Sequence, residues 1–259
     1  MTFAVTGDAY DRYMGRYSRQ LAPLMIDFAE IDPTQRVLDV GCGPGALTAR
    51  LARRVGAERI SAADPSESFV TACTERVPGA DVRRAGAESL PWPDHTFDAV
   101  LAQLVINFLP DPALGLAEFV RVARPGGVLA ACVWDYGDRM RLLRAFWDAA
   151  RELDPEVPDE GKTMRIRTTE ALERLWREVG AERIGTASLV VRAHYTDFAE
   201  LWDSVQLGVG PAGAYCRSLD DQRRAALRQG VFAGLGSPAG PFTCEARAWA
   251  VRGRTRSVR

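Results

Sequence analysis

Val37-Leu38-Asp39-Val40-Gly41-Cys42-Gly43-Pro44-Gly45 is the stretch on which the reading of this chain turns. Arg36 to Val40 is a short apolar run closed by a glycine cluster, which predicts a buried strand turning into a helix over Ala46 to Val55. Glycines at such a turn let the backbone bend tightly and approach a ligand with no Cβ in the way. The turn lies at the carboxyl end of its strand, where open α/β sheets bind their ligands. Asp39 stands two residues before Gly41, where an acid would repel a pyrophosphate but suits an ammonium group. Pro44 removes a backbone N–H where a phosphate-cradling helix start would use one. Asp64 ends the next strand, where a carboxylate can accept both hydroxyls of a ribose. Together these features suit a nucleoside with a cationic amino-acid arm and no phosphate; a tight turn of purely structural use is the alternative.

Strands and helices alternate outward from this stretch. Arg59 to Ala63 reads as a second strand, followed by a helix capped by Ser66 and running to about Arg76. Asp81 to Arg84, Phe97 to Ala102 and Val128 to Val133 read as further strands, with a helix from Asp111-Pro112 to about Ala123 ended by Pro125-Gly126-Gly127. This alternation predicts a doubly wound α/β fold, a mostly parallel sheet with right-handed crossovers. Before it, Tyr10, Tyr13, Met14, Tyr17, Leu21, Leu24, Met25 and Phe28 recur at helical spacing over about Asp8 to Ala29, despite Gly15 and Pro23. After it come a helix at Met140 to Glu152, an acidic loop at Asp154 to Gly161, a helix from about Thr169 to Val179 and a strand-like run at Arg183 to Tyr195. Helices near Phe198 to Leu207 and Asp220 to Phe232, a last strand at Phe242 to Val251 and a tail from Arg252 to Arg259 complete the prediction.

The chain has 259 residues, enough for one large α/β domain and too few for two comfortable ones. Its formal net charge is -1, from 33 basic and 34 acidic residues, so no broad basic surface is available to track phosphates. Lys162 is the sole lysine, and an Ala- and Arg-rich, lysine-poor composition points to a GC-rich bacterial genome. Five scattered cysteines without a CxxC pair form neither a disulfide framework nor a zinc site, and no metal centre is expected. The opening MTFAVTGDAYDRYMGRY has no basic segment leading into an apolar one, and no apolar run approaches the ~20 residues that span a bilayer. A cytoplasmic protein without membrane association is therefore expected.

VLDVGCGPG followed by Asp64 resembles the S-adenosylmethionine-binding core of class I methyltransferases, in the small-molecule branch of ubiquinone/menaquinone-biosynthesis type. Ala87-Glu88-Ser89-Leu90-Pro91-Trp92-Pro93-Asp94, Phe97-Asp98-Ala99-Val100, Leu109-Pro110-Asp111 and Arg124-Pro125-Gly126-Gly127 extend the likeness in order. The resemblance implies a seven-stranded Rossmann-like sheet with a helical cover, all in one domain over 1–259. Within it, 30–135 would be the cofactor core, 1–29 an N-terminal helix and about 196–240 a substrate cover. It implies S-adenosylmethionine as cofactor and a small organic molecule as methyl acceptor. Gly41, Gly43 and Gly45 would lie along the methionine part, with Asp39 organising the loop or the ammonium. Asp64 would hold the ribose, Pro65, Ala87 and Glu88 would border the adenine, and Ala102 and Gln103 would sit near the reacting end. The N-terminal helix would fold over the cofactor, with Arg16 or Tyr17 closing the pocket and Arg16 pairing with the cofactor carboxylate. A helix that only packs its aromatic face on the sheet is the alternative. Gly86 stands where many relatives have an Asp, and Asn107-Phe108 replaces a His-His pair, so no catalytic histidine carries over.

Methyl transfer needs positioning and exclusion of water more than a fixed catalytic group. The candidates for a base are His194, in the strand-like run, and Asp135 and Tyr136, at the tip of the fifth strand; His95 lies in a turn. Phe198, Trp202, Val205 and Leu207, with Gly208 to Gly213 behind them, read either as a lid with a glycine hinge or as a helix packed on the sheet edge. Amino-group modifiers of nucleic acids carry an Asp/Asn-Pro-Pro-aromatic segment after strand four, and C5 modifiers a Pro-Cys pair; this chain has neither. The GxGxG spacing with Asp39 also argues against a nicotinamide-dependent oxidoreductase. A non-catalytic cofactor-binding protein on the same scaffold remains a separate reading.

Overall fold

The computed structural model describes residues 5–257. The chain opens with α1 (Gly7–Tyr10), a single π-helical turn (Asp11–Gly15) and α2 (Arg16–Phe28). The β and α elements then alternate as β1 (Val37–Val40), α3 (Ala46–Val55), β2 (Ile60–Asp64), α4 (Glu67–Arg76), β3 (Asp81–Arg84), β4 (Phe97–Gln103), α5 (Pro112–Val122) and β5 (Ala123–Trp134). The later part comprises α6 (Arg141–Leu153), α7 (Glu160–Thr163), α8 (Thr169–Glu178), β6 (Glu182–Tyr195), α9 (Phe198–Val205), α10 (Gly210–Ser218), α11 (Asp221–Gly234) and β7 (Phe242–Arg254).

The strands form one seven-stranded sheet in the order β3-β2-β1-β4-β5-β7-β6. The pairs among β1 to β5 are parallel, and β7 runs antiparallel between β5 and β6. The order reverses beside β1, so the crevice at the carboxyl ends of β1 and β4 is the topological switch point at which such sheets bind ligands. β1 and β2 are buried along their whole length, as strands covered by helices on both faces must be, and are apolar except for Asp39, Ser61 and Asp64. One core layer joins α2, α3 and α6 to one face of the sheet, and a second packs α5 and α8 on the other.

Two expectations from the sequence need correction. The N-terminal helix is broken by the π-helical turn at Asp11–Gly15, a local widening of the kind often found where a helix meets a functional site. The Arg124-Pro125-Gly126-Gly127 segment does not separate α5 from β5 but lies inside β5. It is held there by the residue that follows β7: Gly127 N–H donates to Thr255 Oγ1 at 3.0 Å and Thr255 N–H to the Gly127 carbonyl at 2.9 Å. Arg252 and Arg254 accordingly belong to β7 rather than to a solvated tail, with Arg252 donating to the Phe28 carbonyl at 2.9 Å. Arg259 lies outside the described residues. In the Gly208 to Gly213 segment, read from sequence either as a hinge or as packing, the backbone lies close on itself. Gly210 begins α10, and a Cβ on Gly213 would stand 2.6 Å from the Gly208 carbonyl carbon, so the glycine serves close packing of helix on turn.

Candidate active site

A cavity of about 270 Å³ opens at the carboxyl ends of β1, β2 and β4 and runs beneath the π-helical turn, α7 and the start of α10. Its floor is the glycine loop. Gly41 and Cys42 N–H both donate to the Ala63 carbonyl, at 2.7 and 3.0 Å, which pins the loop to β2. Gly41 has φ +71° and a Cβ there would meet Val105 Cγ1 at 2.7 Å, whereas Gly43, at φ +53°, faces open space. Asp64 ends β2 with both oxygens engaged: Gly43 N–H donates to one at 3.0 Å and Ser66 N–H to the other at 2.9 Å. Burial raises its carboxyl pKa, and those two N–H groups act against the rise.

Of the residues expected to meet a cofactor, Gly41, Gly43, Asp64, Pro65, Ala87, Glu88 and Gln103 line this cavity. Gln103 donates from Nε2 to the Ser18 carbonyl at 3.1 Å, and its Oε1 is buried without a partner among the described residues. Glu88 Oε1 is orphaned in the same way. Asp39 does not line the cavity. It is 1% exposed behind the loop, accepts the Thr48 hydroxyl at 2.7 Å and so fastens β1 to α3; burial pushes its carboxyl up to about 7. Gly45 is the left-handed residue before α3 and packs on Cys73, and Ala102 is enclosed in the sheet, so neither lines the cavity.

The expected pocket-closing arginine and two of the three candidate bases are engaged elsewhere. Arg16 ion-pairs with Glu200 at 2.8 Å, donates to the His194 carbonyl at 2.8 Å and stacks 4.3 Å over the Tyr195 ring, tying α2 to α9 and β6. His194 is exposed, its Nδ1 is 2.9 Å from the Thr243 hydroxyl, and it stands outside the cavity. Asp135 accepts Arg247 Nε–H at 2.9 Å and Arg139 N–H at 3.1 Å in a buried ion pair off the cavity. Alternation places these side chains: successive residues at a strand tip face opposite sides, so Trp134 and Tyr136 reach the cavity while Asp135 turns away.

In the other half of the chamber the sequence pointed to the N-terminal tyrosine helix, the tip of β5 and the Gly208–Gly213 segment, and missed Leu143 and Glu160. Tyr13 and Met14 from the π-helical turn, Trp134, Leu143 and Val209 to Ala212 wall it, and Glu160 enters as the first residue of α7. Glu160 is 3% exposed and accepts the Trp147 indole N–H at 2.9 Å. Nothing local sets it apart from its neighbours in the acidic loop; only the fold turns it inward. Among the described residues, no Arg, Lys or His lines the cavity, whereas three carboxylates do. A pyrophosphate would find no counter-charge here, and a sulfonium or ammonium would find three.

A mostly parallel sheet reversing beside β1, a glycine loop and a carboxylate at the end of β2 together define a Rossmann-like methyltransferase fold with a ligand crevice at its switch point. Residues 38–131 match the Methyltransferase domain family. An uncharacterised methyltransferase of Mycobacterium tuberculosis is 33% identical over 169 residues, covering 65% of this chain and 64% of that protein. The ubiquinone/menaquinone biosynthesis C-methyltransferase UbiE of Teredinibacter turnerae is 32% identical over 143 residues, covering 52% and 57%. The crystal structure of the YcgJ protein of Bacillus subtilis shares the fold with a TM-score of 0.58 at 17% identity, over 92% of this chain and 99% of that one. The chain spans less than two-thirds of the first curated relatives it matches, from 36% to 64% of their length. The match to a methyltransferase domain over 38–131, with methyltransferases among the similar chains and folds, implies S-adenosylmethionine as the cofactor.

The residues present fit that cofactor. Asp64 and the open space beside Gly43 suit a ribose and a close-lying amino-acid arm, and the orphaned Glu88 and Gln103 oxygens await donors such as amino groups. Among the described residues, no helix is long and apolar enough to cross a membrane and no cluster of three or more metal-ligating side chains occurs. The five cysteines are free and buried.

Proposed function

We propose that this chain transfers a methyl group from S-adenosylmethionine to a small, largely apolar organic molecule. The observation that carries the reading is one continuous cavity joining the glycine loop and Asp64 to an aromatic chamber that has carboxylates but, among the described residues, no cationic side chain. S-adenosylmethionine supplies an electrophilic methyl on a positively charged sulfur. Asp64 holds the ribose hydroxyls, and the Gly41–Gly43 backbone lies along the amino-acid arm. Pro65, Ala87 and Glu88 border the base, and Gln103 faces the middle of the cavity. Tyr13, Trp134 and Tyr136 enclose the acceptor and keep water away from the transfer, so that orientation supplies much of the rate. The absence of cations from the lining also supports a small acceptor over a nucleic acid, whose phosphates need Arg or Lys. The quinone-biosynthesis name of one relative is consistent with a flat acceptor. Action in the cytoplasm as one 1–259 unit belongs to the same reading.

Calorimetry of the purified chain tests it. S-adenosylmethionine and its demethylated product, S-adenosylhomocysteine, are expected to bind with micromolar affinity, and NAD not to bind. Absence of heat with both sulfur compounds would sink the proposal.

A further inference from the structure

Glu160 is the one cavity-lining carboxylate, among the described residues, that lies outside the cofactor half. It reaches the cavity from the start of α7, which Arg144 anchors by donating to both oxygens of the buried Asp159, at 2.9 and 3.0 Å. Its Oε2 accepts the Trp147 N–H, and no described residue donates to Oε1. Three tyrosines line the cavity, Tyr10, Tyr13 and Tyr136. The Tyr13 hydroxyl is buried and has no partner among the described residues. Burial first, and the nearby Glu160 charge next, hold both Tyr13 and Tyr136 well above the usual phenol range, so neither serves as a base. A buried carboxylate with a free oxygen and an orphaned hydroxyl in one apolar chamber is an arrangement a folded protein keeps when a ligand completes it.

We infer that Glu160 accepts the proton of the methyl acceptor, that the Tyr13 hydroxyl makes the acceptor's second polar contact, and that the acceptor therefore bears an acidic hydroxyl, a phenol or enol, on an apolar frame. This rests on the methyltransferase reading and deepens it. An ammonium in the same place has no lone pair until it has given up its proton. A hydroxyl keeps lone pairs on oxygen while its proton lies in the hydrogen bond to the carboxylate. The step balances. The hydroxyl oxygen forms the new bond to the methyl carbon, the carbon–sulfur bond breaks with its electron pair left on sulfur, and the O–H proton passes to Glu160. A carboxylate and a sulfonium thereby become a neutral acid and a thioether, a loss of paired charge that a water-poor chamber does not oppose. Burial also pushes the Glu160 carboxyl up to about 7. The Trp147 N–H and Arg144 act against that rise and Asp159 adds to it, which leaves a base matched to neutral pH.

The test uses 4-chlorophenol as probe on the full chain saturated with S-adenosylhomocysteine, read by tryptophan fluorescence and calorimetry, with 4-chlorobenzylamine and 4-chloroanisole for comparison. The phenol is expected to bind tightest and to tighten as pH rises through about 7. Glu160→Gln should weaken it about tenfold and flatten the pH dependence, and Tyr13→Phe should weaken it several-fold without lowering Tm. Both variants should keep wild-type S-adenosylhomocysteine affinity, which shows that they fold. If the phenol fails to bind, if Glu160→Gln leaves its affinity and pH dependence intact, or if the amine or the ether binds better, this inference is overturned. Wild-type phenol affinity in Tyr13→Phe would remove Tyr13 from it. Loss of S-adenosylhomocysteine binding by the wild-type chain would instead overturn the methyltransferase reading itself.

Discussion

At one end of the cavity, the glycine loop, Asp64 and the Ala87–Glu88 turn all lie at the carboxyl ends of neighbouring strands and work through backbone as much as side chain. At the other end, Tyr13, Tyr136, Glu160 and Ala212 come from four segments remote in sequence, held by side-chain contacts such as Arg144 to Asp159 and Glu160 to Trp147. The first end is a product of strand geometry and recurs wherever the motif does. The second is assembled by long-range packing, so it can change substrate without disturbing the nucleoside site. Mutations should therefore divide cleanly between the two ends.

The largest effect is expected at the strand end. Asp64→Ala removes the acceptor of two backbone N–H bonds and of the ribose hydroxyls, and S-adenosylhomocysteine affinity should fall about 100-fold, some 3 kcal/mol, by calorimetry. A variant that still binds normally would break the assignment of that end. Arg144→Ala comes next. It leaves Asp159, 1% exposed, without its main counter-charge, and should cost about 3 kcal/mol in urea unfolding. Acceptor-probe binding should be lost with it while S-adenosylhomocysteine affinity holds; joint loss would show that the two ends are not separate.

Glu160→Gln sharpens the comparison through stability. The folded carboxyl titrates at about 7, above its ordinary 4.5, so the folded state holds this proton more tightly than the unfolded chain does. The associated stability is complete below pH 4.5 and is lost as pH rises through about 7. At pH 8 the variant should be more stable than wild type by on the order of 2 kcal/mol, with the difference shrinking to near zero at pH 4.5. Denaturation midpoints across pH would expose a flat difference, which would mean that Glu160 is not a strained functional acid. The smallest effect belongs to Glu200→Gln. The Thr196 N–H and then Arg16 hold Glu200 down to about 2, so its contribution is present at neutral pH and fades as pH falls from 4.5 towards that value. The side chain is 36% exposed and the pair is screened, so less than about 1 kcal/mol is expected. Cofactor affinity should not move; a tenfold drop would return Arg16 to the cofactor.

The cofactor end was legible because its information is local. Val37 to Gly45 and Asp64 lie where a strand-to-helix turn and a strand end must put them, and seven of the eleven residues expected at the cofactor line the cavity. Asp39 and Ala102 miss it because a strand residue shows only one face, and Gly45 because it packs beneath α3's first turn. Arg16 misses it because its nearest neighbours come from β6 and α9, whose approach to α2 no helical periodicity encodes. Glu160 had no legible signal at all among the acids around it.

The sequence by itself therefore determined the doubly wound sheet, the glycine turn and the carboxylate beside it, since strand periodicity, glycine conformation and strand-end position act over a few residues. Only the tertiary structure decided which acid of the loop enters the cavity and which arginine is spent on structure. Those outcomes depend on which distant side chains desolvate and pair with one another, and that is settled when the layers pack.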